Sequence, residues 1–126
     1  RLSMLGADAS YAVGPVSLRG QYVYRRDTNP TFTSGEPAVR TAGGFAEVLW
    51  HPEAGRWYAL ALYNRIESSR PLLDVGMGHP AGVSRYETLT AGGGWLLRRN
   101  VRAHAEGTWD VELRESRWSL GLTAAF

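Results

Sequence analysis

The strongest constraint on the fold is the alternation of apolar with polar or small residues from Ser116 to Phe126. A period of two residues is typical of a β-strand, because successive side chains of a strand point to opposite sides, whereas a helix needs a period of about 3.6 residues. The stretch is therefore predicted to be a strand with one apolar face. The apolar set is Trp118, Leu120, Leu122, Ala124 and Phe126, and the other set is Arg117, Ser119, Gly121, Thr123 and Ala125.

This stretch resembles the last strand of bacterial outer-membrane β-barrels, which are built from such alternating strands. Ser119, Gly121, Ala124 and Phe126 are similar to the polar-x-Gly-x-x-hydrophobic-x-aromatic signal by which these barrels are recognised for insertion. Ala124 is smaller than the residue that the family usually has at that place. The resemblance implies a location in the outer membrane of a Gram-negative bacterium, with membrane lipid and the barrel-insertion machinery as partners.

Composition narrows the function classes. The 126 residues include 15 Gly, five Trp, six Tyr and three Phe, which is too rich in glycine and aromatic residues for a helical bundle. No apolar run reaches the roughly 18 residues of a transmembrane helix, but barrel strands escape this test because only alternate residues face lipid. The formal net charge of +2 and the scattered arginines give no argument for nucleic acid. The absence of cysteine is compatible with an oxidising compartment without selecting one.

The two-residue period recurs along the chain and predicts seven strands. They are expected at about 4–13, 16–25, 39–50, 56–67, 84–97, 101–111 and 116–126. Short turns are predicted at Gly14-Pro15, 52–55 and 98–100, and long loops at 27–37 and 70–82, where Gly, Pro, Asn and Ser accumulate. A strand that has been split or merged within 70–82 remains an alternative.

The connections sort by length, which predicts the orientation of the strands. Outer-membrane barrels have short periplasmic turns and longer extracellular loops, so the edge with the short turns is expected to be periplasmic. Aromatic residues near the strand ends are expected to form belts at the membrane interfaces. These are Tyr11, Trp50, Tyr58, Trp95, Trp109, Trp118 and Phe126. The alternative is a soluble barrel or sandwich whose aromatic residues form the core.

The face opposite the apolar one carries charges of both signs, which a small soluble barrel would not bury. We expect these residues to line a lumen. They are Arg19, Arg25, Glu47, Arg65, Glu67, Arg102, His104, Glu106 and Asp110. Phe45 and Trp57 fall on the same face by this count, where they would constrict the lumen unless a bulge shifts the local register.

An odd number of strands predicts an incomplete barrel. Single-chain bacterial barrels have an even number of strands, and counting back from a periplasmic Phe126 puts Arg1 at the outer edge. We therefore expect residues 1–126 to form a single barrel domain or barrel segment, the carboxyl-terminal portion of a larger even-stranded barrel. At least one further strand would precede Arg1. An additional chain or a homo-oligomer could also complete or adjoin the barrel.

The first hairpin gives a second resemblance. The segments Gly6–Tyr11 and Gly14–Tyr22 resemble a hairpin of the phosphate-selective porin group, in which an inward acidic residue, a Gly-Pro turn and a polar-aromatic strand recur. This resemblance implies a passive channel for small hydrophilic or anionic solutes. The chain lacks the dense basic ladder that anion selectivity would need, because its arginines are offset by acidic residues on the same predicted face.

Enzyme and metal chemistry find little support. His104, Glu106 and Asp110 alternate along one strand, but no nucleophile or partnered base can be identified from the spacing, so no catalytic residue is expected. His51, His79 and His104 are too scattered for a metal site, and no cofactor is expected.

The sequence therefore predicts an all-β, antiparallel transmembrane β-barrel, or part of one. Its expected function is that of an outer-membrane porin-like channel for passive diffusion of small hydrophilic solutes. A non-conducting barrel that acts as a scaffold or sleeve for partner proteins in a complex is the first alternative. A soluble ligand-binding barrel is the second.

Overall fold

The computed structural model describes residues 1–29, 37–76 and 78–124. This part of the chain is all-β and contains seven strands and no helix, which confirms the all-β class and the number of strands expected from the alternation. The strands are β1 (Leu2–Val13), β2 (Val16–Asp27), β3 (Val39–Trp50), β4 (Trp57–Ser68), β5 (Arg85–Arg98), β6 (Val101–Asp110) and β7 (Glu115–Ala124).

The strands form one antiparallel sheet in chain order, from β1 to β7. Each strand pairs with the next one along the chain, as in a meander of hairpins. Among the described residues, β1 and β7 pair with no third strand and not with each other, so the sheet is open. Both of these edge strands run in the same direction, because an even number of antiparallel steps separates them.

The connections define two edges of the sheet. The turn edge holds the short connections β1–β2, β3–β4 and β5–β6, and the loop edge holds the other three. At the turn edge Gly14 has φ 52°, a left-handed conformation that favours glycine, which explains the tight Gly14-Pro15 turn. At the loop edge the predicted loop at 27–37 lies largely outside the described residues. The β4–β5 loop is described except for residue 77, and an isolated bridge between Leu73 and Val83 is the only ladder pairing described within it.

Register divides the residues of the sheet between two faces, because directly paired residues point to the same side. We call one side the aromatic face; one of its rows crosses all seven strands. That row is Tyr11, Leu18, Val48, Ala61, Ala91, Gly107 and Trp118. We call the other side the polar face, and its neighbouring row is Ser10, Arg19, Glu47, Leu62, Thr90, Thr108 and Arg117.

Strand β4 has the opposite phase from the one expected. Trp50 pairs with Ala59, so the small residues Ala59 and Ala61 lie on the aromatic face, while Leu60 and Leu62 lie on the polar face. To restore the expected phase, the pairing of β4 with β3 would have to shift by one residue, which would move every side chain of β4 to the opposite face. The expectation that Trp57 lies on the polar face is therefore wrong.

Trp57 instead packs beside Trp50 on the aromatic face. The two rings meet edge to face, with centroids 4.2 Å apart and planes at 70°, which is a favourable geometry for an aromatic pair. Phe45 does lie on the polar face, since it pairs with Gln21 and Asn64. The contact between the two tryptophans joins β3 to β4 across the short connection.

Candidate functional site

The aromatic face exposes most of the large hydrophobic side chains that are exposed in the described part of the chain. Its edge strand β7 is the extreme case, with Trp118 79%, Leu120 84% and Leu122 73% exposed. A contiguous apolar surface of this kind marks contact with another protein or with a membrane. The exposed set on this face is Leu5, Tyr11, Val13, Leu18, Tyr22, Val48, Trp50, Leu89, Trp95, Trp109, Trp118, Leu120 and Leu122.

Charges on the aromatic face lie toward its loop edge, apart from Arg98 at the turn edge, and on β4 and β5 they begin with Arg65 and Glu87, which are in register with Gly44. Along β3 the positions of this face from Trp50 to Ala42 carry no charge, and Arg40 follows at the loop edge. Strand β2 repeats the pattern from Val16 to Tyr24, with Arg26 next. Roughly nine residues of tilted strand are needed to span a bilayer, so the uncharged zone on these two strands has the required length. The charged residues of this face within the strands are Arg26, Arg40, Arg65, Glu67, Arg85 and Glu87 toward the loop edge, and Arg98 at the turn edge.

Seven of the nine residues expected to line a lumen share the polar face. They are Arg19, Arg25, Glu47, Arg102, His104, Glu106 and Asp110. Arg19 lies directly opposite Glu47 on the neighbouring strand, with Nε 4.0 Å from Oε1. The Thr90 and Thr108 hydroxyls form a hydrogen bond of 2.9 Å across β5 and β6. The face therefore combines charged groups of both signs with hydroxyl groups.

Arg65 and Glu67 do not belong to this group. They pair with Gly44 and Ala42, which places both on the aromatic face. Their guanidinium and carboxylate groups are 2.6 Å apart, and they lie toward the loop edge. The assignment of these two residues to the lining of the polar face is thus corrected by the phase of β4.

The phase of β4 also places one of the expected interface aromatic residues on the polar face. Tyr58 lies on the polar face, where the guanidinium carbon of Arg102 sits 5.4 Å from its ring centroid. This cation–π contact ties a charged group of the polar face to β4. Tyr11, Trp50, Trp95, Trp109 and Trp118 lie on the aromatic face. Phe126 lies outside the described residues, so of the expected insertion signal only Ser119, Gly121 and Ala124 are described, all within β7.

The polar face also has an apolar strip, which no pattern along single strands indicated. It consists of Phe45, Leu49, Leu60, Leu62 and Ile66 on β3 and β4. The side chains that β3, β4 and β5 present on the polar face are all buried or half-buried. This contrast with the exposed aromatic face indicates a sheet that curls toward its polar face.

Asp110 is the most enclosed polar group among the described residues. Its side chain is fully buried at the end of β6, and the ring Nε2 of His79 donates to its Oδ2 over 2.6 Å. Arg117 Nη2 donates to the same oxygen over 3.1 Å. The backbone N–H groups of Glu112 and Leu113 donate to Oδ1 over 3.1 and 3.0 Å. Asp110 therefore shapes the β6–β7 turn and fixes the β4–β5 loop to the sheet.

His79 was not singled out as a site residue by the sequence analysis. It lies within the loop, its side chain is 2% exposed, and its ring packs edge to face on Tyr86 at 5.2 Å. Loop composition carries no signal for such a contact, because the contact joins positions 31 residues apart. Within the described ranges no group of three or more His, Cys, Asp or Glu residues is placed to hold a metal ion.

No helix in the described part of the chain is long and apolar enough to cross a membrane. No protein-family model, curated protein or solved structure matches the chain.

Proposed function

We propose that the chain forms part of a transmembrane β-barrel in the bacterial outer membrane and acts as a porin-like channel for passive diffusion of small hydrophilic solutes. The division of the sheet into an exposed apolar face and a charged face, whose central strands β3, β4 and β5 present buried or half-buried side chains, carries this proposal. In water such a surface would favour aggregation, whereas lipid on the aromatic face and water on the polar face satisfy both sides.

The polar face would then line the lumen. Oppositely charged neighbours such as Arg19 and Glu47 leave little net field along the path, so the channel is expected to select weakly by charge. Solutes would be limited mainly by size. The β4–β5 loop, fixed to the sheet at Asp110, lies at the loop edge and would shape the outer mouth.

Paired cysteine substitutions test which face meets water. The chain has no cysteine of its own, so Glu47→Cys on the polar face and Val48→Cys on the aromatic face each supply a unique thiol on the same strand. In phosphatidylcholine vesicles, a charged, membrane-impermeant thiol reagent is expected to modify Glu47→Cys, and a lipid-borne quencher to reach a fluorophore on Val48→Cys.

The same assay with Leu62→Cys and Ala61→Cys tests the phase of β4. The water-soluble reagent is expected to modify Leu62→Cys on the polar face and not Ala61→Cys on the aromatic face. Equal modification of both members of a pair, or a chain that stays soluble without detergent, contradicts the membrane proposal. Stepwise openings in planar bilayers support a conducting barrel. A correctly inserted chain that gives no openings refutes the channel function.

The apolar strip on the polar face favours a second candidate function. Phe45, Leu60 and Leu62 would be poorly solvated in a water-filled lumen, and a partner segment packed on them would bury this surface. The barrel would then be a non-conducting scaffold or sleeve for other proteins of the outer membrane. Leu62→Cys distinguishes the two functions, because a bound segment protects this thiol from the water-soluble reagent and an open lumen does not.

A further inference from the structure

We propose that Arg26 and Arg40 form a binding site on the aromatic face for the phosphate group of an anionic lipid headgroup. This inference rests on the proposed function, because it requires the aromatic face to meet lipid. The two arginines lie directly opposite each other on β2 and β3, and both are exposed. Like charges in such a cross-strand pair are destabilising, and a bound anion between them would reverse the sign of that interaction.

Other charges at this margin have partners of their own. Arg65 pairs with Glu67 at 2.6 Å, and Arg85 lies 3.1 Å from Glu87 and 2.8 Å from Glu112. No side-chain hydrogen bond or ion pair connects Arg26 or Arg40 to another described residue. Within the described part of the chain, these two arginines therefore carry the uncompensated positive charge of the loop-edge margin.

The position of the pair along the strands matches the level of the headgroups. Arg40 is ten residues from Trp50, which corresponds to about 33 Å along a strand and about 25 Å across the membrane for a strand tilted by about 40°. Trp50 at one interface would thus put Arg40 at the other. Arginine on the lipid side is costly at the midplane of a bilayer, but costs little near the interface.

The chemistry around the pair suits a phosphate. Directly paired Cα atoms lie about 5 Å apart, so both guanidinium groups can reach one anion, and each can bind it through two N–H donors. A groove of about 470 Å³ opens beside Arg40 on this face. Tyr22 and Tyr24 line it, which is a placement typical of residues at a membrane interface. Its lining also includes Ser68, Ser69, Ser84, Arg85 and Glu67, and the Glu67 carboxylate is paired with Arg65 at 2.6 Å.

Native mass spectrometry of the full chain, released from micelles that contain phosphatidic acid, tests this site by counting bound lipid. Each arginine near an anionic surface contributes about fivefold to binding through charge alone, so the double variant R26Q/R40Q, which also removes the shared site, should lower the affinity by more than about 25-fold relative to the unaltered chain. The matched control is R98Q/R99Q, which removes the same charge at the turn edge. Arg98 and Arg99 are consecutive residues and do not face each other across two strands, so this variant should lower the affinity for phosphatidic acid by no more than the charge effect of about 25-fold, and by clearly less than R26Q/R40Q.

Four outcomes overturn the inference. An equal loss in R26Q/R40Q and R98Q/R99Q would mean that binding follows net charge alone. Binding of inorganic phosphate in lipid-free detergent, with the same dependence on Arg26 and Arg40, would assign the site to the free anion. Insertion into phosphatidylcholine vesicles without arginine-dependent lipid binding removes this site and leaves the proposed function intact. Failure to insert, seen in the paired-cysteine assay on the same preparation, overturns both.

Discussion

Replacement of Asp110 by alanine should detach the β4–β5 loop from the sheet. The fully buried carboxylate accepts hydrogen bonds from His79, Arg117 and the backbone N–H groups of Glu112 and Leu113. The Arg117 side chain is one-third exposed and can return to water at little cost. The N–H group of His79, which is 2% exposed, loses its partner in a buried position, at a cost of about 2 kcal/mol. The two backbone bonds add about 2 kcal/mol together, so the free energy of unfolding should fall by about 4 kcal/mol.

Hydrogen exchange separates the loop from the rest of the sheet. The amides of Leu73 and Val83, which bond to each other's carbonyl groups within the loop, should exchange about thirtyfold faster in Asp110→Ala, as expected for a loss of about 2 kcal/mol in local stability. Glu115→Ala is the matched control, because it removes a carboxylate from the position paired with Asp110 and leaves the His79 contact in place. Asp110→Asn should have an intermediate effect, since its side-chain oxygen still accepts from the turn.

Unchanged exchange at Leu73 and Val83 in Asp110→Ala, combined with a lower stability of the whole chain, would refute this reasoning. Asp110 would then stabilise only the β6–β7 turn. Similar acceleration in Glu115→Ala would also refute it, because negative charge at the loop edge, and not the buried contact with His79, would then hold the loop.

Three further predictions concern the strands. Gly44→Ala should destabilise the sheet by about 2 kcal/mol, because the new methyl group would meet backbone atoms of β2. Gly6→Ala is the control and should cost less than about 1 kcal/mol, because the nearest atom to its methyl group lies at 3.4 Å. Heat-modifiable gel mobility measures both variants. Arg102→Gln should shift the reversal potential of single channels toward cation preference, because it removes a positive charge from the polar face, and an unchanged potential would place Arg102 off the conduction path. Trp57→Leu should lower the free energy of unfolding by about 1 kcal/mol through loss of the edge-to-face contact with Trp50, and urea titration that shows no change would contradict that contribution.

The strands could be predicted from the sequence almost to the residue. Alternation and turn residues fixed β3 at 39–50 and the start of β6 at Val101, and the structure has the same limits. These signals are local, since each strand shows its period within its own residues. The pairing of β1 with β2, of β3 with β4 and of β5 with β6 follows from the short turns for the same reason.

The assignment of β4 to its faces could not be predicted from its own residues. Leu60 and Leu62 are larger and more apolar than Ala59 and Ala61, so hydrophobicity alone orients the strand the wrong way. The phase of β4 depends on the number of residues in the β3–β4 connection, and on the contact between Trp57 and Trp50. Charged pairs such as Arg65 and Glu67 then move to the other face together with the strand.

The long-range contact at Asp110 is the other part that local patterns could not give. The aspartate appears in the sequence as one more alternating polar residue at the end of a strand. Its burial depends on His79, which arrives from a loop without periodicity. Sequence patterns therefore located the polar face of β6 but not the residue that anchors the loop on it.

The shared direction of β1 and β7 restricts how this sheet can become a ring. Joined edge to edge, β1 and β7 would form a parallel pair within an otherwise antiparallel ladder. Two copies inserted with the same orientation meet the same conflict at both seams, because β7 of one copy would run alongside β1 of the other. An all-antiparallel ring thus needs an odd number of further strands between those edges, and a single strand antiparallel to both β1 and β7 is the smallest unit that satisfies this parity.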